Sequence, residues 1–133
     1  MWPFGSKPSL PEPITRGDMT ARYDAQMKGW VIVRDGIDFN LPGLLLDDSA
    51  FDWVKEAASV IHGLEAEIRA RVMDCLVEWP CDKTKAKISC VYLDEYPGTK
   101  TIDLDFLGDE SWGDLGIHVI VGDGRIVNAY GED

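Results

Sequence analysis

A chain of 133 residues has room for one hydrophobic core, and its 45% hydrophobic and 28% charged residues are typical of folded globular proteins. Its 24 acidic and 13 basic residues leave a formal net charge of -11. Nucleic acids and anionic membranes bind through Lys/Arg patches, so this charge argues against both as direct ligands. A basic protein partner fits the charge, and acidity that only maintains solubility is the other interpretation.

The first fifteen residues contain four of the seven prolines, which prevent a helix or a sheet ladder from extending through them. We therefore predict a flexible tail over residues 1–15 and a single domain over residues 16–133. Cys75, Cys81 and Cys90 cannot all pair within one chain, and no secretory signal pattern opens the sequence. We expect a cytoplasmic protein with reduced thiols and no membrane association.

The stretch from Gly29 to Leu41 carries the strongest strand signal. Alternating apolar residues flank Asp35-Gly36, the pair that a tight type I′ hairpin requires. Residues 20–26 have weaker alternation and are a further candidate strand. After this hairpin, apolar residues recur at spacings of three and four, and Gly63 interrupts them. This pattern predicts two helices, about 49–61 and 64–79, or one bent helix, with Asp47, Asp48 or Ser49 as the N-cap.

The last third of the chain has four strand patterns, over residues 87–94, 100–107, 116–121 and 125–130. Tyr96-Pro97-Gly98-Thr99 suggests a type II turn, and Gly122-Asp123-Gly124 suggests a short hairpin. Successive short turns imply an antiparallel meander. The sequence therefore predicts an α+β fold, in which an antiparallel sheet of N-terminal hairpin and C-terminal four-strand meander packs against a central helical pair.

Alternating acidic residues in the second meander strand form the strongest polar cluster. Asp103 and Asp105 share the outward face if Ile102, Leu104 and Phe106 face the core. An antiparallel partner strand would bring His118 near them. With Asp109, these residues form a candidate divalent-metal site that could activate water, although a solvated acidic strand gives the same pattern. A zinc site through the cysteines is weaker, because no Cys-x-x-Cys pair exists.

The loop from Gly108 to Leu115 is acidic and carries a tryptophan. Asp109, Glu110, Trp112 and Asp114 could form a binding surface in which an exposed aromatic anchor is surrounded by steering carboxylates. The alternative is that Trp112 folds back and covers the end of the sheet.

The sequence from Asp109 to Asn128, which reads DESWGDLGIHVIVGDGRIVN, resembles the C-terminal hairpin of small bacterial domains of unknown function. The upstream hairpin and helical pair are similar to theirs in order. Some such families look like toxin-immunity proteins, which are small acidic binders of basic toxin domains. The resemblance implies a bacterial protein-binding role and transfers no catalytic residues.

We found no nucleophile elbow, Walker loop, dinucleotide-binding fingerprint or His-Glu-x-x-His motif. We therefore expect a non-enzymatic protein-binding module that engages a basic partner, with no cofactor. The alternatives are a metal-dependent hydrolase built on Asp103, Asp105, Asp109 and His118, and a homo-oligomerising module that buries a free sheet edge or helix face.

Overall fold

Short runs of alternating apolar residues form the strands of this protein, because each run can bury one face of a strand. The computed structural model describes residues 9–133. Eight strands form one open sheet in chain order: β1 (Ile14–Arg16), β2 (Met19–Asp24), β3 (Gly29–Arg34), β4 (Ile37–Pro42), β5 (Lys87–Tyr92), β6 (Thr101–Leu107), β7 (Gly116–Gly122) and β8 (Arg125–Glu132). The prediction of a mixed fold is confirmed, whereas the predicted antiparallel sheet is confirmed only in part, because one of its strand pairs is parallel.

The sequence did not predict how the N-terminal strands, β1 to β4, join the C-terminal strands, β5 to β8. β4 and β5 pair in parallel, with Phe39 opposite Val91, whereas every other neighbouring pair is antiparallel. Parallel neighbours need a long crossover, and the helical segment between β4 and β5 supplies it. The hairpin and the meander are therefore one continuous sheet.

One row of apolar side chains crosses the whole sheet and forms its buried face. The cross-strand pairings place its members opposite one another in the order Ala21, Ile32, Phe39, Val91, Leu104, Val119, Ala129. The first six are buried, and Ala129 packs against them. Two helices contact this sheet, α1 (Ala50–Gly63) at β3 and α2 (Glu65–Cys75) at β7 and β8.

Both predicted tight hairpins are confirmed. Asp35 and Gly36 have φ values of 54° and 76°, the two positive values of a type I′ turn, and Arg34 pairs with Ile37. Asp123 and Gly124 have φ values of 51° and 78° and join β7 to β8. By contrast, the predicted type II turn at residues 96–99 is wrong. Tyr96–Thr99 form a one-turn helix, α3, because Pro97 suits a helix start and the following residue, Lys100, takes the left-handed conformation.

Several element boundaries differ from the sequence prediction by a few residues, those of β1 and α2 among them. The strand β1 includes Ile14 and Thr15, so the sheet begins inside the segment predicted to be a tail, one residue after Pro13. The rest of that prediction for residues 1–8 lies outside the described residues. Helix α2 ends at Cys75 rather than at residue 79, because the backbone amides of Val77 and Trp79 bond to the carbonyls three residues back, at 3.5 and 3.0 Å, as in turns and not as in an α-helix. No helix in residues 9–133 combines the length and the apolar character needed to cross a membrane.

The predicted break between the helices is present at Gly63, the last residue of α1. A β-carbon added at Gly63 would meet no heavy atom within 4 Å, and its φ is not positive. Alanine restricts the unfolded chain more than glycine does, so we expect Gly63→Ala to raise the free energy of unfolding by about 0.5 kcal/mol. Urea unfolding of the two proteins tests this. A loss of stability would mean that the helix junction needs glycine.

Candidate functional site

The face of the sheet opposite the apolar row carries most of the chemically reactive side chains. We call it the open face and define it by two cross-strand rows. Asn40, Tyr92, Asp103 and Ile120 form the first, and Cys90, Asp105, His118 and Tyr130 form the second. The predicted outward direction of Asp103 and Asp105 is confirmed, because Ile102, Leu104 and Phe106 between and beside them are buried.

The predicted approach of His118 to these carboxylates is also confirmed. Its Nδ1 atom lies 2.5 Å from Asp105 Oδ1 and 4.0 Å from Asp103 Oδ1. One ligand atom from each of the three residues lies within 4.8 Å of the others. The His118 ring stacks on Tyr130 at a centroid distance of 5.0 Å, and Glu132 Oε1 lies 3.9 Å from Nε2. The pairing of β6, β7 and β8 therefore places three carboxylates, those of Asp103, Asp105 and Glu132, around the imidazole of His118.

Two oxygen atoms in this cluster lack normal hydrogen-bond partners. Asp103 Oδ1 and Asp105 Oδ1 are buried, and neither accepts a hydrogen bond from residues 9–133. The two oxygens differ in their surroundings, because Asp105 Oδ1 has His118 Nδ1 at 2.5 Å, whereas His118 Nδ1 is 4.0 Å from Asp103 Oδ1. Burial raises the pKa of Asp105, and its contacts with His118 and Tyr92 act in the opposite direction. Buried carboxylate oxygens without donors are costly, and a cation supplied from outside would offset that cost.

Burial dominates the electrostatics of the open face. Burial raises the pKa of Asp103, and the charge of the neighbouring Asp105 raises it further. Burial also raises the pKa of Asp105, although His118 acts in the opposite direction. Burial also raises the pKa of Cys90 to about 11 and that of Tyr92 to about 12. Cys90 is thus a protonated thiol that accepts a hydrogen bond from Asn40 Nδ2, which argues against a nucleophilic role. None of the three cysteines forms a disulfide.

A cleft opens beside the cluster, where β5 leaves the sheet and β6 begins. We call it the acidic cleft, and its volume is about 420 Å³. Among the described residues its lining is Tyr92, Asp94, Glu95, Thr101, Asp103 and Ile120, which includes three carboxylates and no Lys or Arg. Tyr92 and Asp94 also line an adjoining smaller cleft of about 100 Å³ that ends at Trp30 and Asn40. Asp103 belongs to both the cluster with His118 and the acidic cleft.

The structure does not bring Asp109 into the cluster with Asp103, Asp105 and His118. Its carboxylate caps a short 3-10 helix at Glu110–Trp112, where Oδ1 accepts hydrogen bonds from Ser111 N at 3.0 Å and Ser111 Oγ at 2.5 Å. Aspartate is a preferred N-cap, so the local backbone accounts for this residue. Asp109, the fourth predicted metal ligand, therefore lies outside the site.

Trp112 is not the exposed anchor that the loop pattern suggested. Its side chain is 5% exposed, and its Nε1 donates a hydrogen bond to the carbonyl of Asp82 at 2.8 Å. A β-carbon at Gly108 would collide with the indole ring, so the loop backbone passes directly against it. The alternative prediction, a tryptophan folded back onto the protein, describes the observed position. Glu110 and Asp114 remain exposed.

Sequence reasoning missed Tyr92, Asp94 and Glu95, which form one wall of the acidic cleft. The alternation in β5 could have placed Cys90 and Tyr92 on one face. The chain gives no local signal that this face continues into Asp103 on β6. The chain matches no known protein family, no curated protein and no solved structure.

The raised pKa of Asp103 predicts a pH-dependent stability effect. A raised folded-state value means that the folded protein holds the proton more tightly, so stability falls as pH rises from the ordinary aspartate value of 3.8. Asp103→Asn should therefore raise the free energy of unfolding at pH 7. The side chain is 38% exposed and partly screened by water, so we expect about 0.5 kcal/mol.

This gain should shrink as pH falls toward 4, because the raised pKa lets wild-type Asp103 take up a proton in the folded protein. Glu110→Gln is the control, because it removes the same charge at an exposed position of the loop. Thermal unfolding of the three proteins between pH 4 and pH 7 measures the effect. A destabilised Asp103→Asn protein at pH 7 would contradict the raised pKa of Asp103.

Proposed function

We propose that this protein is a non-enzymatic binding module that receives basic side chains of a protein partner in the acidic cleft. One observation carries the proposal: Asp94, Glu95 and Asp103 line the same cleft, and no Lys or Arg of residues 9–133 lines it with them. The chain has more acidic than basic residues, so unpaired carboxylates are expected; what favours a cation from outside is that three of them converge on one cleft.

The composition of the cleft suits lysine or arginine. Tyr92 and Ile120 provide apolar wall beside the carboxylates, and long basic side chains pack their methylene stems on such surface while the charged head reaches an acid. A ring face is also a favourable neighbour for a cation. Burial already penalises the charge of Asp103, so a cation bound there recovers part of that cost.

The net charge of -11 supports the same partner class at longer range. An acidic protein attracts a basic one before contact, which raises the association rate more reliably than the affinity. This attraction weakens with salt, since the Debye length is about 8 Å at 0.15 M ionic strength. An inhibitor of a basic toxin domain, the role suggested by the resemblance to immunity proteins, would use such a surface.

Affinity capture with a matched pair of variants tests the proposal. The cleft variant is Asp94→Asn with Asp103→Asn, and the loop variant is Glu110→Gln with Asp114→Asn. Each removes two negative charges, and both loop positions are exposed. Proteins retained from a lysate of the expressing cells at low salt are identified by mass spectrometry.

We expect wild type and the loop variant to retain the same basic protein. The cleft variant should retain at least tenfold less of that protein than wild type does. Loss with the loop variant alone would place the partner on Glu110 and Asp114. Equal loss with both variants would mean that the interaction depends only on the net charge of the protein. Either result contradicts binding in the acidic cleft.

A divalent-cation site is the second candidate, and the buried Asp103 Oδ1, which accepts no hydrogen bond from residues 9–133, favours it. Asp103, Asp105 and His118 offer two carboxylates and an imidazole within 4.8 Å of one another. Hard and borderline cations accept this combination of oxygen and nitrogen ligands. Three protein ligands would leave coordination positions open to water, the arrangement that metal-assisted hydrolysis requires.

Isothermal titration with Mn²⁺ and with Zn²⁺ tests this candidate. His118→Gln and Asp105→Asn should each abolish binding, whereas Asp94→Asn with Glu95→Gln should preserve it because those residues lie outside the cluster. No heat of binding with wild type for either ion would remove the candidate. Equal affinity of wild type and His118→Gln would do the same.

A further inference from the structure

The two edges of the sheet are protected to different degrees. In residues 9–133, β1 forms one edge and β8 the other. The β1 edge has only three residues and directly follows Pro11 and Pro13, which lack the N–H groups that a pairing strand needs. The β8 edge has eight residues without proline. An unprotected edge of this length is a template for another strand.

The backbone and side chains along β8 are accessible to a partner strand. Six of its eight residues are exposed, including Val127 and Tyr130 at 61% and 40%. Near its centre, the Ala129 N–H donates to the side chain of the preceding residue, Asn128, at 2.9 Å. A carbonyl of a pairing strand can replace this local acceptor. The irregular pairing lies toward the turn, near Ile120 and Val121, and leaves the second half of the strand regular.

The distribution of charge along β8 indicates which strand pairs with it. The strand begins at Arg125, and its end carries Glu132, followed by Asp133. When two copies of β8 pair antiparallel about a two-fold axis, the Arg125 end of each lies beside the acidic end of the other. Opposite charges across neighbouring strands stabilise the pair, and both ends of the interface receive them.

We propose that two copies of this chain associate through antiparallel pairing of their β8 strands, which joins two eight-stranded sheets into one. The β8 edge is a different surface from the acidic cleft, so this inference does not depend on the proposed function. The alternative occupant is an extended segment of another protein. A second copy of β8 carries the required order of charges, basic at one end and acidic at the other, and an unrelated segment does so only by chance.

A charge-exchange experiment tests the pairing. The first variant, Arg125→Glu, makes both ends of β8 acidic. The second variant, Glu132→Lys with Asp133→Lys, makes both ends basic. Each variant places like charges at both ends of its own pair, whereas a mixture of the two restores opposite charges. Sedimentation velocity at 0.15 M ionic strength, where the repulsion between acidic copies is screened, measures the association.

We expect wild type to sediment at twice the chain mass as concentration rises, and each variant alone to associate at least tenfold more weakly. The equimolar mixture should recover the wild-type affinity as a heterodimer. Circular dichroism of each variant checks that the fold is retained. A wild-type monomer at every concentration would overturn the proposal, and so would dimers that both variants form as readily as wild type.

Discussion

Replacing Trp112 with alanine should lower the free energy of unfolding by about 4 kcal/mol, the usual cost of deleting a large buried aromatic side chain. Trp112 is almost fully buried, and its ring packs directly against the backbone at Gly108. Its Nε1 also satisfies the carbonyl of Asp82, thirty residues earlier in the chain. The substitution leaves a cavity and an unpaired carbonyl in the same place.

Two further variants make this result interpretable. Trp112→Phe retains most of the ring but loses the hydrogen bond, so its cost should be intermediate, about 2 kcal/mol. Leu45→Ala, at a side chain that is 88% exposed, should change stability by less than about 0.5 kcal/mol. Urea unfolding provides all three values. A Trp112→Ala protein as stable as wild type would mean that the indole is exposed and available to a partner after all.

The second large effect is expected at Gly29, the first residue of β3. A β-carbon there would lie 2.5 Å from the carbonyl oxygen of Leu41 and 3.3 Å from Pro42 Cα. Both are backbone atoms of the paired strand β4, which cannot move aside as a flexible side chain can. We expect Gly29→Ala to cost about 3 kcal/mol, at the upper end of overpacking substitutions.

Gly122→Ala is the matched control for Gly29→Ala. Gly122 is also a strand residue, but a β-carbon there would meet only side-chain atoms of Val127, at 3.5 Å and beyond. Its substitution should cost less than about 1 kcal/mol. Thermal unfolding of both variants gives the comparison. Equal stability of the two would contradict the close approach of β3 and β4.

Local signals predicted most of the elements. The turn at Asp35-Gly36 follows from backbone chemistry that two residues specify, and the β6 pattern specifies which side of the strand is buried. These signals also predicted that Asp103 and Asp105 point outward and that His118 lies near them. Each inference needed only a strand, its neighbour and the turn between them.

Features that depend on distant parts of the chain could not be predicted. The parallel pairing of β4 with β5 joins strands separated by both helices, and no residue in either strand encodes it. The burial of Trp112 depends on the carbonyl of Asp82, and a polar loop sequence gives no sign of that contact. The acidic cleft appears only when Tyr92, Asp94 and Asp103 are brought together by the β5–β6 register.

The most direct test of the cleft is a footprint of the protein in complex with the partner obtained by affinity capture. Amide hydrogen exchange is measured for the free chain and for the complex. Binding in the acidic cleft predicts increased protection in peptides that cover Tyr92 to Glu95 and the start of β6, with no change over residues 108–115. Protection confined to residues 108–115, with the cleft peptides unchanged, would contradict the proposed binding surface.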